Sequence, residues 1–360
     1  MMPGLGITVS PTVLAIRLRQ LGDVLSTLGS LRALKGAAPD HRVLFVVDRA
    51  YHALLRTVPF IDDLIPEPPA AGGLGRLAAY GDYVNDIRSR RPSCVLDFHS
   101  NTRSAILSFL SGAPVRVGFD VRVRKLLYTD VEPRAVYRSG GIAPRTSHES
   151  ALALVRRCGF ASAEGTAGGT IPVTPDDRLR GSEILVRSGL TAEAVERGKL
   201  VGLNPGNPYP AKAWAPGNFG RLARMLGDEG SAVVVLWGPG EKEAALRVVA
   251  ESAGAARLAP PLALEQLPGV LANTRLVVTI DSGLKHLCVA CGVPTVTLFG
   301  PTSPFEWHMG GPLDRYVYPA ETCSPCRLKE CPYEIPCMMK ISPESVWNLV
   351  VDMEREMSSR

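Results

Sequence analysis

Short apolar runs that alternate with helical patterns constrain the fold of this chain more than any other feature. Alternation of this kind is typical of parallel sheets whose strands are joined by crossover helices. We therefore expect an α/β protein. The predicted strands are Val13–Leu18, Val43–Val47, Cys94–Phe98, Val115–Val117, Leu200–Leu203, Ala232–Trp237, Leu276–Ile280 and Thr295–Phe299.

The eight predicted strands fall into two groups of four, which indicates two domains. A chain of 360 residues also exceeds the usual size of a single core. The segment 159–199 separates the groups and begins with small residues, so we place the domain boundary near residue 185. We expect Rossmann-like domains at 1–185 and 186–342 that face each other across a cleft, followed by a C-terminal helix and tail at 343–360.

Composition and charge narrow the class of protein and of partner. Hydrophobic residues make up 46% and charged residues 21%, as in ordered globular proteins. We see no signal-peptide pattern or membrane-spanning run and expect a cytoplasmic protein. Residues 1–150 hold 19 Lys and Arg against 13 Asp and Glu, and the remainder holds 21 against 22, giving charges of +6 and −1. The basic half favours an anionic partner, but no nucleic-acid-binding signature occurs.

A polar turn follows the buried strand Leu276–Ile280 and precedes a short helix. Its residues are Asp281, Ser282 and Gly283. Asp and Ser before an apolar run usually cap a helix. Parallel α/β sheets also bind ligands at the carboxyl ends of their strands, so the same turn is a candidate ligand site.

Two further polar residues follow predicted strands. Asp23 comes after the first strand, where it either caps a helix or accepts a proton from a hydroxyl nucleophile. Lys212 lies in a loop rich in proline and glycine. It is either a solubilising charge or a cation for a diphosphate leaving group when no metal is present.

Several known chemistries are absent from the sequence. There is no P-loop, no serine nucleophile elbow and no Asp-x-Asp pair for a metal that grips a diphosphate. Disulfides are disfavoured in the cytoplasm, which leaves two interpretations of a cluster of four among the eight cysteines. This cluster is either a structural zinc or iron–sulfur site or a set of packing thiols. Its members are Cys323, Cys326, Cys331 and Cys337.

Taken together, the motifs resemble the ADP-heptose:lipopolysaccharide heptosyltransferases of glycosyltransferase family nine. The resemblance spans almost the whole chain and implies the GT-B fold. The cysteine-rich tail is similar to that of the heptosyltransferase II branch. The motifs are RLRQLGDVLSTLGSLRAL, AKAWAPGNF, VVVLWGPGEKE, TIDSGLKHL, VTLFGPTSPFEW and CSPCRLKECPYEIPCM.

The resemblance assigns roles to individual residues. Asp23 would be the general base, and Lys212 would meet the charge on the leaving diphosphate. The backbone amides of Ser282, Gly283 and Leu284 would assist Lys212, and Asp281 would hold heptose hydroxyls. The remaining donor-binding candidates are Glu241 at the ribose, Leu262 beside adenine, and Gly300 and Thr302 near the phosphates. The acceptor-binding candidates are Arg116, Arg122, Arg124 and Lys125.

The implied function is inverting transfer of heptose from ADP-heptose to the inner core of lipopolysaccharide, without metal or cofactor. The acceptor would be Kdo-lipid A or heptosyl-Kdo-lipid A, reached by peripheral contact with the cytoplasmic face of the inner membrane. Three alternatives remain. They are a family member with another nucleotide sugar or acceptor, a GT-B sugar-nucleotide epimerase, and a non-catalytic binding protein.

Overall fold

The computed structural model divides the chain into two compact units, Met1–Thr166 and Ala167–Arg360. It describes residues 11–67, 74–133, 145–165, 168–206, 209–311, 313–319, 321, 323–334 and 336–359. In these ranges, no helix combines the length and apolar composition needed to cross a membrane.

The first unit contains a six-stranded parallel sheet. The strand order is β3-β2-β1-β4-β5-β6, and all five residues of the central strand β1 are buried. Two 3-10 helices, Arg49–Tyr51 and Arg122–Leu127, lie in its connections. The strands are β1 Thr12–Ile16, β2 Arg42–Val47, β3 Asp63–Pro66, β4 Cys94–Asp97, β5 Val115–Phe119 and β6 Asp130–Glu132. The helices are α1 Leu21–Ala37, α2 His52–Leu55, α3 Leu74–Ser89, α4 Thr102–Leu110 and α5 Ser147–Arg157.

The second unit contains a second parallel sheet with the same topology. Its order is β12-β11-β10-β7-β8-β9, so the first and fourth strands of the unit are again neighbours at the centre. The strands are β7 Leu200–Asn204, β8 Ala232–Val235, β9 Ala256–Leu258, β10 Leu276–Ile280, β11 Thr295–Leu298 and β12 Asp314–Val317. The helices are α6 Pro175–Arg187, α7 Ala192–Glu196, α8 Pro216–Asp228, α9 Lys242–Glu251, α10 Leu267–Leu271, α11 Gly283–Ala290, α12 Pro304–Trp307, α13 Pro336–Met339 and α14 Pro343–Ser358. The 3-10 helices of this unit are Pro210–Lys212 and Leu264–Gln266.

The predicted α/β class with two parallel Rossmann-like sheets is confirmed. All eight predicted strands are present, but β3, β6, β9 and β12 were not predicted. Each of these four lies at an edge of its sheet and carries charged residues. An edge strand is paired on one side only and tolerates such residues, so its apolar run is too short to stand out in the sequence.

The units divide at residue 166 rather than near residue 185, because α6 packs in the second unit. Gly181 of α6 lies against the backbone of Gly269 in α10. The side-chain amide of Asn273 donates to the carbonyl of Arg178 at 2.8 Å. The C-terminal helix α14 packs into the core of the second unit, since Val346 and Val350 are fully buried there.

The sequence gives no expectation of a disulfide, yet one is present. Cys94 of β4 forms a disulfide with Cys158, which directly follows α5. The two residues are 64 positions apart in sequence, so no local pattern indicates the pair. The other six cysteines are free thiols.

The close approach of α6 and α10 gives a stability prediction. A Cβ on Gly181 would lie 2.2 Å from the carbonyl carbon of Gly269, and backbone atoms cannot move aside cheaply. We expect Gly181→Ala to lower the free energy of unfolding by roughly 1–3 kcal/mol in urea denaturation. Gly217→Ala, in α8 of the same unit, is the control, since the nearest atom to its Cβ is Glu251 Oε2 at 3.9 Å. Equal stability of the two variants would contradict this account of the helix contact.

Candidate functional site

The carboxylate of Asp281 joins three loops at the carboxyl edge of the second sheet. Its Oδ2 accepts hydrogen bonds from Lys212 Nζ and from Thr302 Oγ1, each at 2.7 Å. Lys212 Nζ also donates to the Asp281 carbonyl at 3.1 Å. Lys212 follows β7, Asp281 follows β10 and Thr302 follows β11, so the parallel topology alone places them at one edge. We call these three residues the Asp281 cluster.

The turn after Asp281 is fixed by the cap of α11. Ser282 is the N-cap, and its Oγ accepts from the amide of Lys285 at 3.4 Å. The same hydroxyl donates to Asn204 Oδ1 at 3.1 Å, and Thr279 Oγ1 donates to that oxygen at the same distance. Ser282 therefore caps the helix, as one sequence interpretation has it, whereas the Asp281 carboxylate binds Lys212 instead.

Helix α11 presents backbone donors in its first turn. The amides of Gly283 and Leu284 precede the first position at which an intrahelical acceptor exists. Together with the helix dipole, such amides favour an anion. The cation Lys212 and the N-terminus of α11 therefore lie beside the same turn.

Two buried basic residues lie on the inner side of α11. Lys285 is fully buried, and its ammonium group donates to the carbonyl of Trp307 and lies 5.7 Å from the ring centroid of Phe299. Burial lowers the pKa of Lys285. Burial, assisted by Lys285, lowers the pKa of His286 to about 3, so this imidazole is neutral at physiological pH. Sequence reasoning did not include Lys285 among the site residues, because an apolar helix such as GLKHLCVA gives no sign that its lysine points inward.

Competing effects set the ionisation of Asp281. Burial raises the pKa of its carboxyl group. The charges of Lys212 and Lys285 oppose that rise, and the net shift of the pKa is downward. The carboxylate is therefore ionised at neutral pH. With Lys212 held by it and Lys285 behind it, the site remains suited to an incoming anion.

Glu241 and Leu262 lie at the ends of the next two strands of the sheet. Glu241 Oε2 accepts a hydrogen bond from the amide of Gly238 at 2.8 Å. The same side chain packs against Gly206, where an added Cβ would lie 2.0 Å from Glu241 Oε2. Burial raises the pKa of Glu241, and the Gly238 hydrogen bond opposes that rise. Leu262 is half-buried beyond β9. Both residues therefore flank the carboxyl edge rather than belonging to the Asp281 cluster.

The cysteine-rich segment braces this edge of the sheet. A Cβ on Gly300 would lie 3.0 Å from the thiol of Cys337, so Gly300 packs beneath the segment. The carbonyl of Gly300 accepts from Ser324 Oγ at 3.0 Å, and the carbonyl of Lys329 accepts from the amide of Ala211 at 3.0 Å. The segment thus supports both the turn before Thr302 and the loop that carries Lys212. Among the described residues, no group of three or more His, Cys, Asp or Glu is arranged to hold a metal ion.

Asp23 lies at the carboxyl edge of the first sheet and is not a helix cap. It is the third residue of α1, and its Oδ2 is 2.5 Å from a guanidinium nitrogen of Arg17. The same guanidinium donates to the carbonyl of Phe98, directly after β4. The Asp23 side chain is 19% exposed. Arg17 therefore ties a partly accessible carboxylate to the central strands, a contact that sequence reasoning missed because Phe98 is 81 positions away.

The acceptor-binding candidates are in unequal surroundings. The guanidinium of Arg116 donates to the carbonyls of Leu127 at 3.0 Å and Ala113 at 2.7 Å, so it serves the local structure. Arg122, Arg124 and Lys125 lie on the 3-10 helix Arg122–Leu127. In the described part of the chain, these three side chains, unlike Arg116, donate no hydrogen bond to a backbone carbonyl.

Comparison with known proteins assigns a family to the part of the chain that contains the Asp281 cluster. The family model described as Glycosyltransferase family 9 (heptosyltransferase) matches residues 175–335, which contain the whole Asp281 cluster. Residues 175–335 therefore belong to glycosyltransferase family 9. The resemblance drawn from the motifs is thereby confirmed.

One of two relatives extends the likeness beyond this domain. The chain is 35% identical over 150 residues to lipopolysaccharide heptosyltransferase 1 of Pseudomonas aeruginosa, a match that covers 39% of this chain and 42% of that protein. It is 26% identical over 310 residues to lipopolysaccharide heptosyltransferase 2 of Escherichia coli K12, which covers 81% and 83% of the two chains. The match to the second relative therefore includes both units.

A solved structure supports the fold of the chain. The structure of the E. coli ADP-heptose lps heptosyltransferase II superposes with a TM-score of 0.77 at 21% identity. The superposition covers 96% of this chain and 99% of that one. The GT-B-like fold expected from the motifs is confirmed.

The neutral, buried imidazole of His286 predicts a pH-dependent stability. Its pKa is about 3 in the folded state against 6.5 for an ordinary histidine, so only the unfolded chain takes up this proton between those values. Stability from this group is therefore complete above pH 6.5 and is lost as the pH falls. We expect a contribution of about 2 kcal/mol to be lost between pH 7 and pH 5.

His286→Phe is the matched variant, since it keeps a ring against Trp307 without titrating. Urea denaturation at both pH values should show a smaller loss for the variant than for the wild type. Identical losses would contradict the buried, neutral state of His286.

Proposed function

We propose that this glycosyltransferase transfers heptose from ADP-heptose to the inner core of lipopolysaccharide, with inversion at the anomeric carbon and without a metal ion. The observation that carries the proposal is the Asp281 cluster, in which a lysine is held beside a capped helix N-terminus inside the family 9 domain. The named relatives supply the substrate class. We also propose that the enzyme acts from the cytoplasm as a peripheral protein of the inner membrane.

Lys212 and the first turn of α11 are proposed to bind the diphosphate of the donor. Two hydrogen bonds of the Lys212 ammonium go to Asp281, which leaves one of its three N–H groups for a phosphate oxygen. When the bond to the anomeric carbon breaks, its electron pair stays on the phosphate oxygen. Lys212 and the amides of Gly283 and Leu284 stabilise that growing negative charge, a task that a metal ion performs in other enzymes.

Asp281 is proposed to orient the cation as well as to approach the sugar. Its carboxylate fixes both Lys212 and Thr302, so its loss would displace the phosphate-binding groups along with any contact to heptose hydroxyls. Glu241 is proposed to contact the ribose, and the segment near Leu262 the adenine, in line with their positions at the ends of β8 and β9.

Asp23 is proposed to be the general base for the acceptor. The acceptor hydroxyl oxygen attacks the anomeric carbon of heptose while its proton passes to the Asp23 carboxylate. The ion pair with Arg17 holds the carboxylate in one orientation, and its partial exposure leaves it accessible. Arg122, Arg124 and Lys125 are proposed to meet the anionic groups of Kdo-lipid A or heptosyl-Kdo-lipid A, while Arg116 keeps its structural bonds.

The substrate assignment is tested by incubating the full chain with ADP-heptose and a panel of defined core acceptors, followed by mass spectrometry. We expect a mass increase of one heptose on one acceptor and release of ADP. Conversion of the donor in the absence of an acceptor would indicate an epimerase instead. A panel of other nucleotide sugars in the same assay would reveal a different donor.

Asp23→Asn tests the proposed base. We expect kcat to fall by about 100-fold to 10,000-fold, because the amide cannot accept the proton, while the affinity for ADP-heptose measured by calorimetry stays unchanged. Asp40→Asn, which removes an exposed carboxylate after α1, should retain full turnover. Near-normal turnover of Asp23→Asn would remove Asp23 from the proposed mechanism.

Lys212→Gln tests the proposed cation. We expect kcat/KM for ADP-heptose to fall by roughly 100-fold to 1,000-fold, because the charge on the leaving diphosphate loses its nearest cation. Lys199→Gln is the control, since this exposed lysine lies at the opposite end of β7. Unchanged donor kinetics in Lys212→Gln would exclude a role for this residue at the donor.

A further inference from the structure

One face of the first unit exposes several large apolar side chains. Val123 and Leu126 are 76% and 74% exposed, more than any other large hydrophobic residue in the described ranges. Phe109 is 52% exposed, and Ile106 and Val115 are each 39% exposed. These five residues are called the apolar face below. An exposed apolar group of this size on a small domain is a common mark of an interaction surface.

Contacts within the first unit join these residues into one surface. Helix α4, which carries Ile106 and Phe109, packs against the 3-10 helix that carries Val123 and Leu126. Arg116 bridges the two elements, with its guanidinium 5.7 Å from the ring centroid of Phe109 and its Nε bonded to the carbonyl of Leu127. The structural role of Arg116 is thus to hold this face together.

The same surface is strongly basic. The stretch 102–129 contains five Arg or Lys against one carboxylate, Asp120, although Arg103 is paired with Glu67 outside this stretch. Lys125 lies 3.5 Å from Asp120, and both side chains are about half exposed. Arg122 and Arg124 make no ion pair within the described part of the chain. Cations therefore alternate with projecting aliphatic side chains in the 3-10 helix, Arg-Val-Arg-Lys-Leu-Leu.

We propose that the apolar face docks the enzyme on the surface of an anionic lipid bilayer. Val123 and Leu126 enter the boundary between headgroups and acyl chains, while Arg122, Arg124 and Lys125 pair with anionic headgroups. A bilayer satisfies both features at once, because its negative charge lies directly above its apolar layer. The inference rests on the proposed function for its biological setting, since the acceptor is a lipid, but docking itself requires neither donor nor acceptor.

Co-sedimentation with vesicles tests the surface. The full chain is mixed with vesicles of phosphatidylcholine alone and with vesicles that also contain phosphatidylglycerol. We expect binding to the second kind only, with an affinity that falls as salt is added, because exposed charges are screened. Equal binding to both kinds, or none to either, would overturn the proposal.

Two double variants separate the apolar and the electrostatic contributions. Val123→Ser with Leu126→Ser keeps every charge and should weaken binding to anionic vesicles about tenfold. Arg122→Gln with Arg124→Gln should weaken it about tenfold or more and reduce its salt dependence. The matched control is Leu179→Ser with Val186→Ser, which removes exposed apolar side chains from α6 of the second unit and should bind as the wild type does.

Failure of the docking surface can be distinguished from failure of the proposed function. Val123→Ser with Leu126→Ser should transfer heptose to a water-soluble, deacylated acceptor at the wild-type rate but should be slower on an acceptor embedded in anionic vesicles. Wild-type vesicle binding by this variant would overturn the docking surface and leave the function intact. A change in its oligomeric state by light scattering, with unaltered vesicle binding, would assign the face to a second copy of the chain and also overturn the proposal. Vesicle binding without transfer to any acceptor would instead overturn the proposed function alone.

Discussion

The buried Asp281 carboxylate is the interaction on which the second-unit site depends. A carboxylate that is 4% exposed is costly unless it is paired and hydrogen-bonded, and one of its oxygens is satisfied by Lys212 and Thr302 together. Each of these partners comes from a different loop. The positions of the lysine, the capped turn and the turn after β11 are therefore determined jointly, and the cysteine-rich segment supports two of the three loops from behind.

The sequence was sufficient for those features that follow from local pattern and parallel topology. Apolar runs predicted every inner strand, and the rule that ligands bind at carboxyl ends marked the turn at Asp281 as a candidate site. Thr302 came only from the family resemblance. The sequence was insufficient where a contact joins distant parts of the chain. The hydrogen bond of Arg17 to Phe98 and the disulfide of Cys94 with Cys158 have no local signature, and the charged edge strands are hidden because edges need few apolar residues.

The two acidic residues at helix starts show why capping and function are not alternatives. Ser282 uses its hydroxyl to cap α11, and this leaves the amides of Gly283 and Leu284 in the open first turn. Asp281, one position earlier, is thereby released from capping and binds a cation. Asp23 lies inside α1 instead of before it, and Arg17 occupies its carboxylate. The position of an acidic side chain relative to the helix start thus decides which partner it takes.

Both units have the same strand order, yet different ion pairs lie at their central carboxyl ends. In the first unit Arg17 pairs with the partly exposed carboxylate of Asp23 after β1, and in the second Lys212 after β7 pairs with Asp281 beside the N-terminus of α11. The proposed transfer needs this asymmetry, because a nucleophile must lose a proton while a leaving diphosphate gains negative charge. Repetition of one topology with different side chains at the same strand ends keeps the two tasks in separate units.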